Sequence, residues 1–352
     1  MERYDHGGDV YSQKVELDFS VNVNPLGMPP QVREALIAHV DDYVSYPDAK
    51  CRALRAAIAR AEGCPDSQVL CGNGAADLIL RLCLARKPRR VLICAPTFSE
   101  YEKAALLSGA QIERHLLKET DGFALGEDFL DKLRPGLDMV FLCNPNNPTG
   151  RLIDGEILRC IVETCQRRQI RLVIDQCFLA FTGEGSVKKL VGEVDSLVVV
   201  DAFTKLYAMA GLRLGYMLCS DGKLLGEVAR FGQSWSVSSP AQIAGLAALD
   251  CGPGWIAKTR ETVGRERAYL SEAMAALGMK LFPSAANYLF FKGPLGLDAS
   301  LLRQGLLIRS CANYTGLDGH FYRIGVKMRP QNERLIEALE KILQQLPLRE
   351  SL

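Results

Sequence analysis

An excess of charge of either sign is missing from this chain. Its 352 residues carry 42 lysines and arginines against 41 aspartates and glutamates, a net +1. Such a balance leaves no basic surplus to meet the phosphates of a nucleic acid, which excludes that partner class. Long apolar runs are missing as well. Stretches such as Met139–Cys143 and Leu197–Val200 are far too short to cross a bilayer, so no membrane partner is expected. The start, MERYDHGGD, is charged and polar, which predicts no signal peptide. Histidine is scarce, with four residues, none at ligand spacing with a cysteine, and no CxxC pair occurs, so no metal site is expected. The twelve cysteines are plentiful, yet Cys83, Cys94, Cys143 and Cys219 sit in apolar runs where they read as small buried hydrophobes. Free thiols in a reducing, cytoplasmic setting are the expectation. Repeats and low-complexity tracts are absent.

What is present is a chain too long for one small core, so two domains are expected. Residues 1–30 read as an arm that mixes short extended pieces with turn residues. A helix is expected over Gln31–Val40, with Pro30 in its first turn, and another over Ala49–Ala61 after the extended Tyr46-Pro47-Asp48. From about residue 66 strands and helices alternate. The strands are read at Val69–Cys71, Arg90–Ala95, Gln111–Leu116, Met139–Cys143, Leu172–Asp175, Leu197–Val200 and Tyr216–Cys219, with a helix at Ala75–Ala85. This alternation predicts an α/β layer on a mainly parallel sheet, whose ligands bind at the carboxyl ends of the strands. A long helical stretch, Ser239–Leu277, is interrupted at Gly252-Pro253-Gly254. Beyond it an α+β unit is read from Lys280–Phe282, Tyr288–Phe291, a helix near Ser300–Gln304, Leu306–Ile308, Tyr322–Val326 and a terminal helix Asn332–Leu346. The expected division is 1–30 as arm, 46–248 as large domain, and 31–45 with 249–352 as small α+β domain.

The stretch DAFTKLYAMAGLRLGY, Asp201–Tyr216, concentrates the chemistry. Lys205 follows a buried strand and stands among small residues. A desolvated amine loses its proton more easily and becomes a nucleophile able to form a Schiff base. Taken alone, the same position also suits an ordinary strand-end lysine. Two other stretches bear on the choice: CNPNNPTG at Cys143–Gly150 and LVIDQCFLAF at Leu172–Phe181. They precede Lys205 in the order Asn147, Asp175, Lys205, Arg213, with gaps of about one strand–helix–strand unit.

These motifs, in that order, resemble the aminotransferase branch of the fold type I pyridoxal-phosphate enzymes. The resemblance implies an α/β fold with a large cofactor-binding domain, a smaller α+β domain, and pyridoxal 5'-phosphate as cofactor. It implies Lys205 as the Schiff-base lysine and Asp175 as partner of the pyridine nitrogen, keeping the ring an electron sink. Asn147 would bond the ring 3-oxygen and Phe98 would stack on the ring. Gly74, Ala75 and Ala76, at a strand-to-helix turn, would hold the phosphate with backbone N–H groups, and Arg213 would grip it bidentately. Tyr46 would reach the phosphate of a neighbouring subunit, implying a homodimer with shared sites. Arg323 would bind the substrate carboxylate. Each has a plainer reading: a turn for Gly72–Ala76, a helix cap for Asp175, core packing for Phe98, surface ion pairs for the arginines. Two positions depart from the family pattern. Phe178 stands where a tyrosine often bonds the 3-oxygen, and Ala202 where a serine or threonine often bonds the phosphate; Thr204 is the expected substitute.

Within that family the chain is similar to histidinol-phosphate aminotransferases and threonine-phosphate decarboxylases. The start HGGDVYS…LDFSVNVNPLG, Phe178, and the segment LLIRSCANYTGLDGHFYRIGVKMRPQNERLIEAL favour the decarboxylases. The activity implied is decarboxylation of L-threonine O-3-phosphate to (R)-1-amino-2-propanol O-2-phosphate in cobamide synthesis. A serine-phosphate preference and amino-acid transamination stay open, because the bond that breaks at Cα depends on an angle the sequence does not fix. A non-catalytic cofactor-binding module is the alternative from another class. A phosphorylated substrate needs a second anion site, and His6, Asn24, Arg309 and Arg323, with Asn147, are the expected substrate residues.

Overall fold

The computed structural model describes residues 6–345. Among them thirteen strands are arranged in three sheets. The strands are β1 Leu17–Asp18, β2 Val69–Gly72, β3 Arg90–Ala95, β4 Gln111–Leu116, β5 Met139–Cys143, β6 Arg171–Asp175, β7 Leu197–Ala202, β8 Gly215–Leu218, β9 Lys280–Phe282, β10 Tyr288–Lys292, β11 Leu306–Leu307, β12 Arg309–Ser310 and β13 Phe321–Gly325.

The main sheet has seven strands in the order β2-β8-β7-β6-β5-β3-β4. All its pairings are parallel except the two made by β8, which lies antiparallel between β2 and β7. The last strand therefore does not extend an edge but closes a gap. Parallel strands buried on both faces require continuous apolar runs, and β5 and β7 supply them. Along each strand the side chains alternate between two cores. Leu92, Leu142, Ile174 and Val199 enter one; Ile93, Phe141, Val173 and Val200 enter the other. Each such aliphatic side chain stabilises the fold by about 1.5–3 kcal/mol.

The second sheet, β12-β13-β10-β9, is antiparallel. Helices Gly252–Ala276 and Arg329–Gln344 contribute Leu270, Met274, Leu335 and Leu339 to its core. β1 pairs in parallel with β11, which ties the N-terminal arm to this unit. Helix Pro30–Ala38 packs on helix Ser239–Asp250.

Several element bounds differ from those read in the sequence. The helix expected over Ala49–Ala61 is Arg52–Glu62, because Asp48 turns the chain first: its carboxylate accepts from the N–H groups of Lys50 and Arg52. The Ser239–Leu277 stretch is two helices parted at Cys251, and Gly252, Pro253 and Gly254, expected to interrupt it, form the first turn of the second. The terminal helix begins at Arg329; Leu346 and residues 1–5 of the expected arm lie outside the described residues. Among the described residues no helix is long and apolar enough to cross a membrane.

Candidate active site

The carboxyl ends of β2, β3, β5, β6 and β7 converge on one cavity of about 540 Å³. β7 delivers Lys205 on the turn that follows Ala202. β6 ends at Asp175, and the loop after β5 carries Asn147. The helix after β2 starts at Ala75. Parallel strands with short crossovers put all these side chains on the same edge of the sheet.

Lys205 is enclosed, and its amine is pushed down to about 8 from an ordinary 10.5. Burial is the main cause, followed by the nearby cations Arg323 and Arg213. The Phe178 ring lies beside it, with Nζ 5.7 Å from the ring centroid. Phe178 in turn packs edge-on against Tyr288. The residue that departs from the family pattern thus supplies an apolar wall to the lysine.

Asp175 is buried, and both its oxygens are occupied by neutral donors. Oδ1 accepts from the Cys177 N–H at 2.9 Å and Oδ2 from the Tyr101 hydroxyl at 2.7 Å. These two bonds fix the orientation of the carboxyl group at the end of β6. Tyr101 is itself fixed by stacking on Phe141 and by the edge of Phe98.

Gly74 caps the helix Ala75–Arg86 with φ +87°. A Cβ there would lie 2.8 Å from Nη2 of Arg213. Gly215 of β8 passes beneath the same turn; its Cβ would meet Ala75 N at 2.7 Å and the Gly74 carbonyl carbon at 2.8 Å. Two glycines thus let backbone and guanidinium crowd around the first turn, whose N–H groups have no intrahelical partner. Thr204 and Arg213 join Ala75 and Ala76 in the cavity wall.

Arg323 and Arg309 face each other across β12 and β13 as direct register partners. Both are buried and both line the cavity. Arg323 donates to Asn147 Oδ1 and, at 2.7 Å, to the carbonyl of Ser20, while its Nε is buried without a partner. Arg309 donates to Asn313 Oδ1 at 2.9 Å. Like charges set directly opposite on a sheet are costly unless an anion lies between or beside them.

The remaining sequence candidates divide. Phe98 and His6 line the cavity, their rings 6.0 Å apart. Asn24 does not. Its amide nitrogen is spent on the Leu206 carbonyl and the Thr259 hydroxyl, and its oxygen accepts from Leu26 N–H, so it braces the Lys205 turn from behind. The asparagine in the wall is Asn22, whose Nδ2 is buried without a partner. An extended Asn-Val-Asn sends both asparagines to one side, so spacing alone does not separate them. Tyr46 also lies away from its own chain's cavity. It is 80% exposed and stacks on Trp235, ring centroids 4.5 Å apart. Sequence reasoning passed over Glu100 and Lys103, which line the mouth next to His6. Their position in the same short segment as Phe98 was the available signal.

The family model for aminotransferase class I and II matches residues 14–341. The chain belongs to this family. Across this aminotransferase family it is similar to a threonine-phosphate decarboxylase of Salmonella typhimurium, with 39% identity covering 96% of each chain. Among solved structures it resembles the histidinol-phosphate aminotransferase of Clostridium acetobutylicum, with a TM-score of 0.87 and 27% identity over 94% of this chain and all of that one. It also resembles the L-threonine-O-3-phosphate decarboxylase of Porphyromonas gingivalis, with a TM-score of 0.83 and 26% identity over the same shares. Enzymes of this aminotransferase class use pyridoxal phosphate, and the donors in the cavity suit its parts. A helix N-terminus, a hydroxyl and a guanidinium suit the phosphate, a buried carboxylate suits the pyridine nitrogen, and a lysine of lowered pKa suits the aldehyde.

Proposed function

We propose that the protein is a pyridoxal-phosphate-dependent decarboxylase of L-threonine O-3-phosphate, releasing CO2 and (R)-1-amino-2-propanol O-2-phosphate for cobamide synthesis. The observation that carries the reading is the facing pair Arg309 and Arg323 in the cavity of Lys205, with His6 and Lys103 at its mouth. This is a site for a substrate with two anionic groups, a carboxylate and a phosphate. The similarity to threonine-phosphate decarboxylase along the whole chain supports the same substrate.

Bound pyridoxal phosphate supplies an electron sink that stabilises negative charge at the substrate's Cα. Lys205 holds the aldehyde through Nζ, and its lowered pKa keeps a free-base fraction available near neutrality. Asp175 keeps a proton on the pyridine nitrogen. Ala75, Ala76, Thr204 and Arg213 would hold the phosphate, with Gly74 leaving room for Arg213, and Phe98 would pack against the ring. Arg323, oriented by Asn147, takes the carboxylate. Arg309 and His6 take the substrate phosphate, and Asn22 offers its unpaired amide to the substrate. Lys205 Nζ, in the same cavity, would be the group that returns a proton to Cα. Tyr46, solvent-exposed on its own chain, serves the neighbouring subunit's cofactor phosphate in a homodimer.

The test is to incubate the cofactor-loaded protein with L-threonine O-3-phosphate, with and without 2-oxoglutarate, and to follow CO2. CO2 released without a keto acid is the expected result. Glutamate formed from 2-oxoglutarate with histidinol phosphate as donor, and no CO2, would move the protein to the aminotransferase reading, which the Clostridium structure favours.

A further inference from the structure

The mouth of the cavity contains a negative charge that the reaction as described does not use. Glu100 stands in the first turn of helix Ser99–Leu107. One of its oxygens, Oε1, takes both neighbouring donors: His6 Nε2 lies 2.9 Å from it and Lys103 Nζ 3.6 Å. The hydrogen bond from His6 is the largest influence holding this carboxyl below its ordinary range, and Lys103 acts in the same direction. Glu100 is therefore ionised near neutrality, and all three side chains line the cavity that contains Lys205, Arg309 and Arg323.

A fixed carboxylate at the entrance to an anion site would repel the substrate. The geometry around Glu100 removes that contradiction. The His6 imidazole and the Lys103 ammonium converge on one oxygen in the first turn of a helix, which is an environment suited to an anion. We propose that Glu100 Oε1 is an internal stand-in for a phosphoryl oxygen: it holds His6 and Lys103 together in the free enzyme, and the substrate's phosphate displaces it to take both donors. The inference rests on the reading of a phosphorylated amino acid as substrate, and makes Glu100 a specificity-determining residue of that site.

The exchange favours some anions over others. A phosphoryl group has nearly two charges and three acceptor oxygens, so it outcompetes a single carboxylate for the two donors. A substrate ending in a carboxylate or a neutral group gains little by displacing Glu100. Glu100 thus sharpens the preference for phosphate at a cost in absolute affinity, as a repulsive element does in other specific sites. His6 and Lys103 are more exposed than Glu100, at 43% and 65% against 19%, so the donors are free to follow the phosphate while the carboxylate swings outward.

The experiment compares the parent with Glu100→Gln, both as cofactor-loaded enzyme. Inorganic phosphate is titrated calorimetrically, and steady-state rates are measured with L-threonine O-3-phosphate. Gln keeps the size and loses the charge, so phosphate is expected to bind about three- to tenfold more tightly and KM to fall by a similar factor, with kcat little changed. Lys103→Met introduced on top of Glu100→Gln should reverse both gains, which locates the bound phosphate at this mouth. Unchanged or weaker phosphate binding in Glu100→Gln would overturn the proposal and make Glu100 a support for His6. Phosphate binding does not depend on which amino acid is turned over. Tighter phosphate binding with no turnover of L-threonine O-3-phosphate would leave the stand-in role intact and remove the substrate; turnover without tighter binding would do the reverse.

Discussion

Lys205 is a half-buried amine that the fold shields from much of the solvent, and that shielding has a cost that can be read as a function of pH. In the cofactor-free protein the folded state holds its pKa at about 8, against 10.5 for an ordinary lysine. Between those values the unfolded chain binds the proton more tightly, so stability contributed by this group rises with pH across that window. Below pH 8 both states are protonated and the full penalty applies. Replacing the amine with a methionine of similar length removes the penalty. Lys205→Met apoprotein should therefore be more stable than the parent by about 2–3 kcal/mol at pH 7, with the difference shrinking as pH climbs from 8 to 10.5. Urea unfolding at pH 7, 9 and 10.5 measures it, and equal stabilities at pH 7 would mean that water reaches the amine. If Lys205 is the lysine that holds the cofactor aldehyde, as proposed, the same variant should also lose the near-visible absorption of the cofactor-loaded protein. Lys205, Asp175 and Asn147 were legible in the sequence because each sits in a short motif at the end of its own strand. Asn22, Glu100 and Lys103 were less so: the nearness of Glu100 and Lys103 to Phe98 in the chain was the one signal, and the folding of the arm over that helix is a meeting no local pattern encodes.

At the level of elements, the strands were legible wherever apolar residues ran together. β3 and β5 have the bounds that β-branched and apolar residues suggest. The place of β8 was not legible, because a four-residue strand does not state its neighbours or its direction. Its antiparallel insertion between β2 and β7 has a consequence for the proposed cofactor site: it brings Gly215 against the turn that starts the helix proposed to hold the cofactor phosphate. A methyl group there would press on Ala75 N, on the Gly74 carbonyl carbon and, at 3.0 Å, on the Asp201 carbonyl oxygen, all of them backbone atoms with little room to retreat. Gly215→Ala should push the turn out of register with Arg213 and Thr204. The expected result is a cofactor dissociation constant raised about tenfold, from overpacking of the kind that costs 1–3 kcal/mol in cores. Titrating apoprotein with pyridoxal phosphate and following the near-visible band gives the constant. An unchanged value would show that the turn yields without losing its grip.

For the whole molecule, the decisive question is how many chains make one site. Tyr46 lies outside its own cavity, at the end of a segment whose apolar side chains Ile37, Val40 and Val44 are exposed, Val44 at 93%. Apolar side chains in such a row are wasted on water and are suited to a second copy of the chain. If Tyr46 completes the neighbour's site, each site takes Lys205 from one subunit and Tyr46 from the other. Two inactive variants then restore each other. Pairing a Tyr46→Ala chain with a Lys205→Ala chain gives one site with both native residues and one with neither. Co-expressing the two with different affinity tags in equal amounts should yield half mixed dimers, and so about a quarter of the parent activity per site. Isolating the doubly tagged dimer should raise this to about half, because every molecule then has one whole site. Activity no greater than the mean of the separate variants, in a doubly tagged dimer that does form, would confine each site to one chain and return Tyr46 to the role of a surface residue stacked on Trp235.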